Sequence, residues 1–183
     1  MVEAVGFVIR PGVMADLPAL EWEGEYLRYR AVYRAALEAA ERGERALLVA
    51  DVDGQVVGQI FIHFVCPWPI PGSFAPAGYL YAFRVRPEHR GRGLGRALLQ
   101  QAENLLEAAG AAHAVIAVAR NNPEARRLYE RRGYSWLADD PGRWTYVDER
   151  GETKHVYEPA HLLVKSLTPQ PSPGPGFRET GRG

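Results

Sequence analysis

The sequence predicts one α/β domain, and three observations carry that prediction. Segments rich in β-branched and aromatic residues alternate with amphipathic helical segments. Asp53-Gly54, set between two apolar runs, is a strong hairpin signal, so the sheet cannot be purely parallel. The 183 residues are 46% apolar and 24% charged, a globular balance in a chain long enough to bury one core without staples.

Each element follows from local signals. Phe7-Val8-Ile9-Arg10 reads as a first strand, ended by Pro11-Gly12. Asp16 is positioned to cap a short helix opened by Pro18 and Leu20. A longer helix is expected from Glu25 to Arg42, with Leu27, Ala31, Ala35 and Leu37 or Glu38 at helical spacing and Gly43 as its stop. Ala46 to Asp51 and Gln55 to Val65 form the hairpin about Asp53-Gly54. Cys66 to Gly78 holds four prolines and is expected to be irregular. Tyr79 to Val85 is the next strand. A helix follows from Gly95 to Ala109, with Leu98, Ala102, Leu105 and Ala109 on one face and Gly110 closing it. Ala114 to Ala119 reads as a buried strand, Pro123 to Arg132 as a helix closed by Gly133, and His161 to Leu167 as the last strand. Residues 168–183 hold four prolines, four glycines and one aromatic, and are expected to form a disordered tail after a domain spanning 1–167.

Composition narrows the function classes. Twenty-two basic residues balance twenty-two acidic ones, which argues against a general nucleic-acid or anionic-membrane binder. The single cysteine, Cys66, has no partner for an intramolecular disulfide or a thiolate metal cluster. It precedes Pro67 with no adjacent histidine, so an inert thiol is expected rather than a nucleophile. No apolar run approaches the roughly 18 residues of a membrane span, and no basic leader precedes an apolar stretch. A cytoplasmic location is therefore expected. The five histidines show no metal-protease spacing, and Gly133-Tyr134-Ser135-Trp136-Leu137 lacks the second glycine of a serine-hydrolase elbow.

The chemistry concentrates between Tyr79 and Leu99. Arg90-Gly91-Arg92-Gly93-Leu94-Gly95-Arg96 links a strand to an amphipathic helix. Glycines at alternate positions let backbone approach a ligand closely. The first helical turn leaves about four N–H groups without intrahelical partners, and these with the helix dipole suit a phosphate. Arg84, Arg86, Arg90, Arg92 and Arg96 place five guanidinium groups within 13 residues against one acid, Glu88. Such forked donors match phosphate oxygens. A dinucleotide fingerprint fails, because Arg96 and Leu98 stand where its last glycine belongs in either register. A Walker A loop fails as well, since neither Lys154 nor Lys165 follows a glycine. The plain alternative is a glycine-rich connector with solvated arginines.

The stretch Val85-Arg86-Pro87-Glu88-His89-Arg90-Gly91-Arg92-Gly93-Leu94-Gly95-Arg96-Ala97-Leu98-Leu99 resembles the acyl-coenzyme A motif of the GNAT superfamily of N-acetyltransferases, whose core is R/Q-x-x-G-x-G/A. A second block, from Val118-Ala119-Arg120-Asn121-Asn122-Pro123 through Leu128-Tyr129 to Gly133-Tyr134, is similar to the family's V-x-x-x-N-x-x-A-x-x-L-Y-x-x-x-G-F/Y stretch. Ile9-Arg10-Pro11 and Val164-Lys165-Ser166-Leu167 resemble its first and last strands, so the likeness spans most of Phe7 to Leu167. It implies a mixed, mostly antiparallel sheet flanked by helices and splayed between the fourth and fifth strands, near Val85. It implies acetyl-CoA as the acyl donor and a primary amine, on a small molecule or a protein, as the acceptor.

By the same resemblance, the amides from Gly91 to Arg96 hold the pyrophosphate, and Arg90 opens the motif. Phe83 and Val85 offer backbone groups to the pantetheine and thioester. Asn122 hydrogen-bonds the pantetheine, and Tyr129 protonates the departing thiolate. A phenol near pKa 10 giving its proton to a thiolate near 8.5 runs uphill, so Tyr129 needs local help, such as the nearby helix end, or water does the work. The residues also admit simpler roles. Asn122-Pro123 is an N-cap followed by Pro at the first helical position, and Tyr129 beside Leu128 suits core packing.

The acceptor must be a neutral amine, and a lysine-like amine at pH 7 is short of that form by roughly 4.6 kcal/mol. Glu21, Glu23, Glu25, His63 and Tyr81 are the candidate bases, each with an ordinary structural role as its alternative. The proline-rich segment with Trp68 and Phe74, and the stretch Ala138 to Pro159 with Trp144, Tyr146 and Tyr157 turning at Glu149-Arg150-Gly151, suit a substrate lid and a subunit contact, such as a homodimer's, equally well. Two other functions stand beside acyl transfer: a sensor that holds acyl-CoA without turnover, and an arginine-rich RNA-contacting protein.

Overall fold

The structure is a computed structural model and describes residues 6–167. The proposed tail at 168–183 lies outside them. In chain order the elements are β1 (Phe7–Pro11), α1 (Leu17–Leu20), α2 (Arg30–Glu41), β2 (Arg45–Val52), β3 (Gln55–His63), β4 (Ala77–Val85), α3 (Leu94–Ala108), β5 (His113–Ala119), α4 (Pro123–Arg131), β6 (Ser135–Asp140), β7 (Arg143–Val147), β8 (Thr153–Tyr157) and β9 (Ala160–Ser166). Seven strands form one sheet in the order β1-β2-β3-β4-β5-β9-β6, while β7 and β8 make a separate hairpin. Every pair is antiparallel except β4–β5.

Helices cover both faces of the sheet. On one face Leu98, Leu99, Ala102 and Leu106 of α3 pack on Ile60, Ile62, Leu80 and Ile116. On the other, Leu17 and Leu20 of α1 with Tyr33 and Leu37 of α2 pack on Leu47, Val49 and Phe61. Apolar burial on both faces of the central strands explains why β3 and β5 read as nearly continuous apolar runs rather than alternating ones.

Three expectations need correction. The long helix starts at Arg30, not Glu25. Trp22, Glu23 and Gly24 all have positive φ and turn the chain, so Leu27–Tyr29 forms only a 3₁₀ turn before α2. Its buried face is Tyr33, Ala36, Leu37 and Ala39, leaving Ala35 exposed. Asp16 does not cap α1. Its carboxylate accepts from the Val13 N–H at 2.9 Å and from both terminal nitrogens of Arg10 at 2.8 and 2.9 Å, tying α1 to β1. In α3, Leu106 takes the buried position expected of Ala109, which is exposed.

The feature that positions the site is a break in β4. Gln59 pairs with Arg84 but Phe61 pairs with Tyr81, so Ala82 and Phe83 together oppose Ile60 in a β-bulge. Ala82 carries φ of 47°, a left-handed conformation costing a non-glycine residue about 1–2 kcal/mol. The extra residue reverses the side-chain alternation. Tyr79 and Tyr81 share the α2 face with Phe61, whereas Phe83 and Val85 join the α3 cluster.

Candidate active site

β4 and β5 pair from Ala77–His113 only to Leu80–Ile116. Past that point β4 runs on to Val85 and β5 to Ala119 without pairing, so the sheet parts between them. The Arg86 N–H donates to Val57 O of β3 at 2.8 Å. Alternation along the strand then turns the peptide groups of Phe83 and Val85 into the gap. The Val85 carbonyl is already engaged there, accepting from Arg90 Nε at 2.9 Å.

The head of α3 stands at one end of this gap. Its N-cap is Gly93, with φ of 85° and no side chain to cap the helix. The first backbone bond is Ala97 N–H to Gly93 O, and among the described residues the N–H groups of Gly91 to Arg96 have no protein acceptor. Only glycine sits unstrained at that φ, and nothing lies within 4 Å of where a Cβ would be, so the space in front of the loop is open. Gly95 passes close to β4, its Cβ position 3.5 Å from Phe83 and 3.8 Å from Val85.

The five arginines separate. Arg84 donates to Tyr33 Oη and lies 4.0 Å from the centroid of the Tyr26 ring. Arg86 forms a forked pair with Glu23 at 2.8 and 2.9 Å. Arg90 bonds Val85, and only Arg92 and Arg96 are exposed without a protein partner among the described residues. The anion-facing charge is therefore smaller than the sequence count suggests.

Asn122 is the N-cap of α4, its Oδ1 accepting from Ala125 N–H at 3.1 Å, which leaves its amide NH₂ for another partner. Tyr129, in the last turn of α4, is 5% exposed, with its ring 6.2 Å from Phe83 and 6.0 Å from Tyr134. Burial pushes its phenol well above the ordinary tyrosine value. The local help anticipated from the helix end runs the wrong way, since the C-terminal pole of a helix disfavours a phenolate.

On the α2 face, beside the gap, lies a cavity of about 540 Å³. Tyr79, Tyr81 and Arg84 of β4 line it, as do Tyr29 and Tyr33, Trp68 of the proline-rich loop and Trp144 of β7. Ala117, Ala119 and Ala160 form a wall of small residues, and Asp140 and Glu158 supply carboxylates. Among the proposed bases only Tyr81 reaches it, and that hydroxyl accepts from Arg45 Nη1 at 2.8 Å while burial raises its pKa. Glu21 is buried, its carboxylate held low by hydrogen bonding to Arg30, and Glu23 is held low by Arg86. Glu25 is exposed, and half-buried His63 ends β3 with its pKa lowered by burial and Arg45. No histidine lines the cavity. Sequence reasoning missed Tyr29, Tyr33, Asp140 and Glu158, for which no motif exists. The aromatic excursions carrying Trp68 and Trp144 were the one usable signal. The Cys66 thiol is pushed up by burial and lies outside the cavity.

The sequence model of the Acetyltransferase (GNAT) family matches residues 13–134, more than half of the chain. The chain belongs to the GNAT acetyltransferase family. Solved structures agree on the fold. The PaiA N-acetyltransferase of Thermoplasma acidophilum, in complex with coenzyme A, is 15% identical, with a TM-score of 0.64 over 88% of this chain and 99% of that one. The ribosomal-protein-S18-alanine N-acetyltransferase of Escherichia coli is 18% identical, with a TM-score of 0.65 over 94% and 100%. NAA60 of Arabidopsis thaliana, in complex with acetyl-CoA, is 18% identical, with a TM-score of 0.66 over 88% and 98%. As a GNAT protein, the chain carries its splay at the β4–β5 junction that the motif resemblance implied. No helix of the described residues is long and apolar enough to cross a membrane.

Proposed function

We propose that this chain transfers an acetyl group from acetyl-CoA to a primary amine by direct attack, without an acyl-enzyme. The parted β4–β5 junction carries this reading: unpartnered amides lie at one end of it and an aromatic cavity beside it. The chain's groups fit such a donor. The N–H groups of Gly91 to Arg96 suit the pyrophosphate, with Arg92 and Arg96 free to add forked contacts. The gap-facing peptide groups of Phe83, the Val85 N–H and the remaining amide of Asn122 suit the pantetheine arm.

Acetyl-CoA supplies a thioester carbonyl: the amine nitrogen attacks it, an N–C bond forms, the C–S bond breaks, and a thiolate leaves while the amine loses a proton. Tyr129 is the candidate to donate a hydrogen bond toward that sulfur. With its phenol raised by burial, full proton transfer is uphill, so solvent completes the protonation. Asp140 and Glu158 are the cavity carboxylates through which, directly or by water, the amine proton leaves.

The test is calorimetric titration with acetyl-CoA, followed by free-thiol release over an amine panel. Binding with release is expected. Tight binding that never liberates thiol would identify a sensor instead, and salt-sensitive RNA binding without coenzyme A affinity would overturn both.

A further inference from the structure

Resting on that acyl-transfer reading, we infer that the acceptor is an arylalkylamine: a primary amine joined by a short chain to an aromatic ring. The first argument is an unbroken arc of rings. Trp68 meets Tyr79 at 4.7 Å between centroids, Tyr79 stacks on Tyr81 at 5.5 Å, and Tyr81 meets Phe61 at 5.4 Å. Phe61 stacks on Tyr33 at 5.3 Å, Tyr33 meets Tyr29 at 6.2 Å, and Tyr29 stacks on Trp144 at 5.9 Å. Six of these seven residues line the cavity. They come from the proline-rich loop, β4, the start of α2 and β7, so both aromatic excursions of the sequence converge on one wall. Rings in that number favour a flat apolar body, and their faces attract a cation.

The second argument is charge. Gly142 donates its N–H to Asp140 Oδ1 at 3.0 Å, and its carbonyl accepts from the Glu158 N–H at 2.9 Å. A Cβ on Gly142 would stand 1.8 Å from the Glu158 carbonyl oxygen, so only glycine permits this crossing. One residue thereby fixes the Asp140 carboxylate and the Glu158 backbone at the cavity, and among the described residues neither side chain forms an ion pair. The two cavity arginines already face rings, Arg84 over Tyr26 at 4.0 Å and Arg143 over Tyr157 at 5.8 Å. The lining is formally balanced, two carboxylates with two arginines, and Asp140 and Glu158 are its groups that suit an ammonium. The cavity's 540 Å³ falls within the range of small-molecule sites and holds one ring with a short chain. Ala117, Ala119 and Ala160 add only methyl groups to the lining, leaving room for a thioester entering from the gap.

The test compares phenethylamine, putrescine and a peptide with a free N-terminus, using the full chain. Phenethylamine should give a kcat/KM at least about tenfold above the others. It should also bind in calorimetric titration with coenzyme A present. Trp144→Ala should raise its KM about tenfold with kcat within twofold, and Trp144→Phe should restore it. Asp140→Asn should weaken its calorimetric affinity by a similar factor. Equal or better turnover of putrescine or the peptide overturns the inference and leaves acyl transfer standing. Phenethylamine binding without thiol release from any amine overturns acyl transfer and keeps the ligand class.

Discussion

The two ends of the parted sheet are built on opposite principles. The anion-facing end is local: Arg90 to Arg96 is one run of chain, and its donors are peptide N–H groups that every residue carries. The proposed acceptor end is assembled from the proline-rich loop, α2, β4, β5 and the β7–β8 hairpin, and its chemistry lies in side chains. A site of backbone amides tolerates changes of side chain but not of backbone conformation. A site of assembled side chains degrades residue by residue.

Gly93→Asp should break the local end outright. It puts a Cβ at φ of 85° and a carboxylate in the proposed pyrophosphate site. Acetyl-CoA affinity by calorimetry should fall at least about 100-fold. With open space around Gly93, a thermal melt should move by only a few degrees.

Asp16→Asn probes the assembled end through stability, because Asp16 ties α1 to Arg10 of β1 and so supports the α2-face wall. Loss of these charge-assisted bonds, still reached by solvent, should cost on the order of 2 kcal/mol in urea unfolding. The hydrogen bond from Arg10 holds the Asp16 carboxyl below its unfolded value of about 3.9. Its contribution is therefore present above about pH 4 and is lost as pH falls through the lower folded value. Acid melts of wild type and Asp16→Asn should converge below that window.

Tyr129→Phe sits between the two ends. Turnover should fall about tenfold, the low side for a proton donor because burial weakens this phenol as an acid, while acetyl-CoA affinity stays within twofold. An unchanged rate removes Tyr129 from the chemistry. The smallest effect belongs to Glu23→Gln, whose carboxylate is spent on Arg86. Its kcat should stay within about twofold, and a larger drop would restore Glu23 as a base.

Much of the architecture was legible because its signals are local. Asp53-Gly54 turns β2 into β3, Asn122-Pro123 opens α4, and the Glu149-Arg150-Gly151 turn sits between β7 and β8. The late start of α2 was not legible, because positive φ at Trp22 and Glu23 is held by tertiary contacts that no propensity encodes. Nor was the fate of the arginines. Tyr33 claims Arg84 from 51 residues away and Glu23 claims Arg86 from 63.

By itself, then, the sequence determined the order of strands and helices, the glycine loop at the head of α3 and, through two motifs, the family. Those depend on backbone conformations and turn chemistry set within a few residues. Only the tertiary structure decided which side of β4 each residue faces, since one bulge at Ala82 reverses the alternation. It alone decided that Trp68 and Trp144, carried by segments far apart along the chain, meet around one cavity with Asp140 and Glu158. Side-chain chemistry of that kind exists only once distant segments are packed together.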